Sequence, residues 1–171
     1  MGSEMCIRDR YLILRAFNNY TSSTDTTNFS GVFNGLQIQK SLINSVNITN
    51  GTFGGKSTNY SLRINGYISP NQTDTYTFSL YSVDSANMYI NDTVFLSCVF
   101  TSEAQVASIV LTAGNWYPFI IETVQGTGGE NVNVSYKGTG QNYVSFAHST
   151  NASGIQSVSY THLTLPTNRE V

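Results

Sequence analysis

Residues 75–82 read Thr-Tyr-Thr-Phe-Ser-Leu-Tyr-Ser, and this stretch decides the fold. Large apolar side chains alternate along it with small hydroxyl side chains. The apolar members are Tyr76, Phe78 and Leu80. A side-chain period of two predicts a β-strand that has one face in a core and the other face toward solvent.

Similar strand signals continue on both sides of this stretch. Residues 60–68 also alternate, and Asn65-Gly66 within them predicts a bulge or bend. The spacing around Asn91-Asp92-Thr93 predicts a tight hairpin. Further strands are predicted at 106–111, 116–124 and 131–137. Short strands at intervals of about 8–12 residues, without a helical period, indicate an all-β fold: an antiparallel two-sheet β-sandwich of jelly-roll-like type.

The composition excludes several classes of protein. Charged residues make up 11% of the chain, and Asn, Ser and Thr account for 59 of 171 residues. Aromatic residues reach 12%, which argues against a disordered tract. The eight Lys and Arg are scattered singly along the sequence, so no nucleic-acid partner is predicted. No apolar run approaches the roughly 20 residues that a transmembrane helix needs, so no transmembrane segment is predicted in this fragment.

The two ends differ from the rest of the chain. Residues 1–10 and 158–171 resemble translated sequencing-adapter strings, and we expect both to be non-native tails. Residues 11–157 are then a single domain, cropped from a longer protein. This domain contains five Lys or Arg and seven Asp or Glu, so its low charge is a property of the domain itself.

Asn-x-Ser/Thr triplets are unusually frequent. They begin at Asn19, Asn28, Asn47, Asn50, Asn59, Asn71, Asn91, Asn133 and Asn151. Because a glycan cannot be packed in a core, their use would place these asparagines on the surface of an extracellular glycoprotein. The high Asn, Ser and Thr content alone is the other explanation, and it stays open.

The sequence offers few residues that suit a catalytic role. One histidine, His148, lies within residues 11–157, and the acidic residues are spread without a pattern that selects a catalytic pair. We therefore expect no enzymatic activity. Cys98 lies in an apolar run and is predicted to be a small buried hydrophobic residue.

Four segments follow one another in the order and at the spacing of a known family. They are Gly-Tyr-Ile-Ser-Pro at 66–70, Asp-Thr-Tyr-Thr-Phe at 74–78, Ser-Val-Asp-Ser-Ala-Asn-Met-Tyr-Ile-Asn at 82–91 and Leu-Thr-Ala-Gly-Asn-Trp-Tyr-Pro at 111–118. The chain resembles the protective antigen-type (PA14) domain family over residues of about 36–137. The resemblance implies a two-sheet β-sandwich and a ligand-binding module, as in the carbohydrate-binding parts of fungal adhesins and the appendages of glycosidases.

The resemblance also implies a possible calcium site, from which this chain departs. In lectin members of the family, two adjacent Asp joined by a cis peptide hold Ca²⁺, and a later loop adds further ligands. Here Val83 replaces the first Asp, so Asp84 is the one carboxylate left for a metal site that is incomplete. Ca²⁺ takes six to eight oxygen ligands. We therefore expect Asp84 to cap its loop rather than to bind Ca²⁺, and the Val83–Asp84 peptide to be trans.

The function implied by the resemblance is carbohydrate binding or adhesion within a larger surface or secreted protein, with glycans or cell-surface ligands as partners. The loops at 82–87 and 126–131 are expected near the ligand. The candidate binding residues are Asp84, Asn87, Glu130 and Asn131. Tyr81 is a candidate for stacking on a sugar ring, or else for a cross-strand contact. A structural spacer without a ligand, and an accessory module of a glycoside hydrolase, are the alternatives.

Overall fold

The computed structural model describes residues 7–9, 12–18, 29, 32–99, 103–129, 131–147 and 155–161. Their regular structure consists of strands and one short 3-10 turn, Val32–Asn34. None of the described residues forms a helix with the length and apolar character that crossing a membrane requires.

The strand bounds follow the sequence pattern closely. The strands are β1 (Ile7–Asp9), β2 (Leu12–Phe17), β3 (Gln37–Ile43), β4 (Asn47–Thr49), β5 (Tyr60–Pro70), β6 (Asp74–Ser82), β7 (Ser85–Ile90), β8 (Thr93–Cys98), β9 (Gln105–Leu111), β10 (Tyr117–Gln125), β11 (Asn131–Lys137), β12 (Val144–Ser145) and β13 (Ile155–Thr161). The five strands predicted between residues 60 and 137 correspond to β5, β6, β9, β10 and β11. Their ends lie within two residues of the prediction.

The strands form two antiparallel sheets. The larger sheet has the order β1-β13-β5-β10-β7-β8, with β2 beside β5 and β3 beside β2. The smaller sheet has the order β12-β11-β6-β9, with β4 beside β11. Every pairing between described strands is antiparallel. The prediction of an all-β, two-sheet antiparallel sandwich is therefore confirmed.

The core lies between the two sheets and is rich in aromatic rings. Phe78 of β6 is fully buried at its centre. Its ring lies 5.7 Å from that of Phe95, 6.0 Å from that of Tyr136 and 6.1 Å from that of Phe146, measured between centroids. The alternating apolar face of β6 thus supplies the residue on which rings from both sheets converge.

Of the two alternatives predicted at Asn65-Gly66, a bulge or a bend, the bulge is wrong. A bulge adds one residue to one strand and shifts the register, yet the β5–β10 register runs unbroken through the Gly66–Phe119 pair. What changes at Gly66 is the neighbour on the other side of β5. Strand β2 pairs up to Asn65, and β13 takes over at Tyr67. Gly66 marks this change of partner.

The hairpin predicted around residues 91–93 is confirmed, with Thr93 as the first residue of β8. Asn91 and Asp92 have φ angles of 51° and 59°. Positive φ at both central residues is the requirement of a type I′ turn, whose twist matches that of the flanking strands. Asn and Asp tolerate this conformation better than other side chains do, apart from Gly.

Cys98 is buried, as predicted. Burial raises the pKa of its thiol. Because the thiolate is the reactive form, this cysteine behaves as a packing residue.

The predicted tails contribute backbone pairing at one edge of the larger sheet. In β13, Ile155 to Val158 pair with β5, and Ser159 to Thr161 pair with β1. The division of the chain into a domain at 11–157 and two non-native tails stays a prediction.

Candidate functional site

The two loops predicted to lie near a ligand are both connections between the sheets. Val83 and Asp84 lead from β6 in the smaller sheet to β7 in the larger one. Residues 126–130 lead from β10 back to β11, which lies beside β6. The two connections therefore meet at the same end of the sandwich.

Two hydrogen bonds join these loops. The Gly126 amide donates to Oδ2 of Asp84 over 2.8 Å, and the Val83 amide donates to the Asn131 carbonyl over 3.0 Å. Asp84 is only 4% exposed. Its carboxylate thus accepts the first amide of the loop that follows β10, whereas the expected cap was on the loop of Asp84 itself.

The described residues do not fit a calcium ion here. Asp84 is nearly enclosed and has one oxygen engaged with Gly126, and the side chain of Val83 offers no donor. The Asn131 carbonyl already accepts the Val83 amide. The Val83–Asp84 peptide is trans, and no three His, Cys, Asp or Glu among the described residues cluster as metal ligands. Glu130 lies outside the described residues.

Asn87 is not part of this loop junction. It is the third residue of β7 and is buried. Its Oδ1 accepts a hydrogen bond from Ser97 Oγ of the adjacent strand over 2.8 Å, and its Nδ2 lies 3.4 Å from the hydroxyl of Tyr89. The Asn87 amide is therefore occupied in a polar network on the outer face of the larger sheet.

Asn131 and Tyr81 border the outer face of the smaller sheet. Asn131 is half-buried and pairs with Thr49 in register, while Tyr81 is half-buried and pairs with Asn133. Amide and hydroxyl side chains alternate outward along β11, as its sequence pattern predicts. Near the loop junction this face carries amide and hydroxyl groups and the ring of Tyr81, whereas Val106 and Val110 of β9 expose apolar surface on the same face.

Three carboxylates serve structural bonds. Asp74 accepts the amide of Thr139 over 2.9 Å and its hydroxyl over 2.6 Å. These bonds hold the pKa of Asp74 below its usual value of 3.8. Glu122 is paired with Arg63, and Asp84 with Gly126. His148 lies outside the described residues.

The glycosylation motifs fall mostly on the surface. Asn47, Asn50, Asn59, Asn71 and Asn91 are exposed, and Asn133 is half-buried. Three motifs, at Asn19, Asn28 and Asn151, lie outside the described residues. Asn47 of β4 and Asn133 of β11 lie directly opposite each other as cross-strand partners.

A groove that the sequence did not predict lies on the outer face of the larger sheet, lined by both apolar and charged side chains. Its volume is about 290 Å³. The residues that line it are Arg15, Arg63, Asn65, Gly66, Tyr67, Pro118, Phe119 and Ile120. They come from β2, β5 and β10, and no local sequence signal connects such distant positions. Only the strand register, read with the outward direction of alternate residues, brings them together.

The two antiparallel sheets and the loops that cross between them define a two-sheet β-sandwich, and the family follows. The chain belongs to the PA14 domain family, whose model matches residues 18–147. The predicted resemblance is confirmed, and the match extends beyond residues 36–137 at both ends. No curated protein sequence matches the chain.

Solved structures share this fold at low sequence identity. The epithelial adhesin 6 A domain from Candida glabrata, in complex with Galβ1-3GlcNAc, is 14% identical with a TM-score of 0.67, over 92% of this chain and 89% of that one. The PA14 domain of the antifreeze protein MpAFP is 11% identical with a TM-score of 0.69, over 96% and 99%. A β-glucosidase from Kluyveromyces marxianus, in complex with glucose, is 18% identical with a TM-score of 0.54, over 72% and 15%.

Several matched chains are much longer than this one. The chain spans about half the length, 46% and 49%, of two anti-sigma factor domain-containing proteins.

Proposed function

We propose that this chain is a non-catalytic carbohydrate-binding module that acts in adhesion, within a larger surface or secreted protein. The observation that carries the proposal is the junction of the two sheet-crossing loops. Asp84 and Gly126 hold them together at one end of the sandwich, next to the outward-facing Tyr81 and the amide side chains of β11. A fixed junction supports ligand binding because a preorganised loop loses little conformational entropy when the ligand binds.

Two further observations support this assignment. The adhesin A domains that share the fold are described in complexes with galactose-containing sugars. The carboxylates Asp74, Asp84 and Glu122 are committed to structural hydrogen bonds, which leaves little described material for a hydrolytic site.

Titration calorimetry of the full chain with Galβ1-3GlcNAc and with lactose tests the proposal. Saturable heat with either sugar, and none with a matched concentration of sorbitol, is the expected result. No heat with either sugar would favour the structural spacer instead.

Calcium is expected to have no effect on this binding or on stability. The described donors around Asp84 do not fit the ion, so the melting temperature and the sugar affinity should be equal in calcium and in excess EDTA. An Asp84→Ala variant should lose about 1–3 kcal/mol of unfolding free energy in both buffers, because the buried Gly126 amide loses its acceptor. A calcium-dependent rise in the melting temperature of the unmodified chain, absent from the variant, would contradict this expectation.

N-glycosylation is part of the proposal and has a structural signature. Side chains directly opposite in an antiparallel pair lie about 4.5–5.5 Å apart at Cβ, so Asn47 and Asn133 cannot both carry a glycan without a clash. We expect Asn47, the more exposed of the two, to be occupied after secretion from a eukaryotic host. Glycopeptide mass spectrometry measures this, with the exposed turn residue Asn91 as a positive control. Single molecules glycosylated at both Asn47 and Asn133 would refute the prediction.

The second candidate function is an accessory module of a glycoside hydrolase. It is favoured by the match to the β-glucosidase, of which the aligned region is a small part. The full transcript decides between the two, because a hydrolase domain encoded beside this module would support the accessory role.

A further inference from the structure

Cations concentrate in one row across the larger sheet. Residues 11–157 contain five Lys or Arg, and three of them are register neighbours: Lys40 of β3 pairs with Arg15 of β2, which pairs with Arg63 of β5. Like charges that face each other across strands destabilise a sheet. Such a row in a domain with so few cations therefore needs compensation by anions.

The charge of Arg63 is balanced by a carboxylate of the same chain, that of Glu122. Arg63 Nε donates to Oε1 of Glu122 over 2.8 Å, and its Nη2 contacts the same oxygen. The Arg63 guanidinium also lies over the ring of Phe33, 4.7 Å from the centroid. Burial, and secondly the nearby charge of Glu122, raise the pKa of Tyr89. Oε1 of Glu122 is thus engaged by two nitrogens of Arg63.

Arg15 has a different environment. Its Nη1 donates a hydrogen bond to Oδ1 of Asn65 over 2.5 Å. The amide oxygen of Asn65 is a neutral acceptor and does not balance the charge of Arg15. Among the described side chains, the ion pair between Arg63 and Glu122 is the only one found, and no carboxylate contacts Arg15. A guanidinium has five N–H donors in a planar fork that matches a carboxylate. Arg15 therefore brings a positive charge and further donors to the groove.

The groove beside Arg15 combines charge with apolar surface. Tyr67, Pro118 and Ile120 line it together with the two arginines and the Asn65 amide. Aromatic and aliphatic surface next to hydrogen-bonding groups is the usual lining of a small-ligand site. The volume of about 290 Å³ suits a small molecule rather than a protein surface. The strand-borne glycosylation motifs Asn47 and Asn133 lie on the other sheet.

We propose that this groove binds the carboxylate of an acidic sugar of the uronic acid class. Arg15 receives the carboxylate, Asn65 hydrogen-bonds a ring hydroxyl, and Tyr67 and Ile120 contact the apolar face of the sugar ring. Arg63, held by Glu122, adds positive charge at the edge of the groove. The choice of a sugar rests on the proposed carbohydrate-binding function, but the site is separate from the loop junction at Asp84.

The test is titration of the full chain with sodium D-glucuronate, D-glucose and sodium acetate at constant ionic strength. Glucuronate should bind, glucose should bind at least tenfold more weakly, and acetate should also be at least tenfold weaker than glucuronate. Equal binding of glucose and glucuronate would overturn the proposal. Acetate as tight as glucuronate would reveal a simple anion site and would overturn the assignment to a sugar.

Two matched variants locate the site. Arg15→Gln should weaken glucuronate binding at least tenfold, whereas Lys40→Gln, the exposed neighbour in the same row, should change it less than twofold. Equal effects would mean general electrostatic attraction and would contradict the proposal. Unfolding midpoints of both variants check the fold, and Asn65→Ala, with an expected loss of at least threefold, gives an independent reading if Arg15→Gln is unstable.

The outcome is separable from that of the proposed function. Binding of Galβ1-3GlcNAc without binding of glucuronate would refute the groove alone. Binding of glucuronate that depends on Arg15, without any neutral sugar binding, would support the groove and refute the role of the loop junction.

Discussion

Replacing Phe78 by Ala is expected to lower the free energy of unfolding by about 3–5 kcal/mol. The fully buried ring contacts Phe95, Tyr136 and Phe146, and its removal leaves a cavity that strands fixed in two sheets cannot close. Urea denaturation followed by tryptophan fluorescence measures the loss, since Trp116 is the one tryptophan of the chain.

The matched control for this experiment is Val106→Ala. Val106 lies on neighbouring β9 and is 56% exposed, so its truncation should cost less than about 0.5 kcal/mol. If Phe78→Ala prevents folding, Phe78→Leu supplies a smaller and still measurable loss. A cost below about 1 kcal/mol for Phe78→Ala would show that the ring is not at the centre of the core.

The second large effect is expected for Arg63→Leu. This change leaves the Glu122 carboxylate without its cation, and the Glu122 side chain is only 6% exposed. Removing one partner of a buried ion pair typically costs about 3–5 kcal/mol, and we expect about 3 because the Arg63 side chain is itself 37% exposed. Urea denaturation at neutral pH is the measurement.

Two further variants show whether the loss of stability comes from the broken ion pair or from lost packing. Glu122→Leu should cost less than Arg63→Leu, because the partly exposed guanidinium can turn toward water. The double variant should recover much of the loss, since no uncompensated charge remains in the sheet. Additive losses in the double variant would mean that the two side chains act through packing and not as an ion pair.

The sequence predicted most of the fold, and β6 shows why. The alternation of residues 75–82 determines which side chains enter the core, because a strand turns successive side chains to opposite faces. The turn at Asn91-Asp92 was equally predictable from the sequence, because a tight turn depends on the conformation of adjacent residues. Gly66 was misread because its role depends on β2 and β13, whose residues are distant in the sequence.

The candidate site residues were predictable only in part. The resemblance to the PA14 family pointed to the loops around Asp84 and residue 126, which the structure joins by a hydrogen bond. The row formed by Lys40, Arg15 and Arg63 gave no such signal. Each cation is isolated in sequence, and their proximity arises from the register of three strands.

The most direct test of the proposed function is an NMR titration of the isotope-labelled full chain with Galβ1-3GlcNAc. We expect saturable shifts of backbone amides that cluster in residues 82–87 and 126–131, with the same pattern in calcium and in excess EDTA. No shifts at saturating sugar, or shifts confined to other parts of the chain, would contradict the assignment of this end of the sandwich as a carbohydrate-binding site.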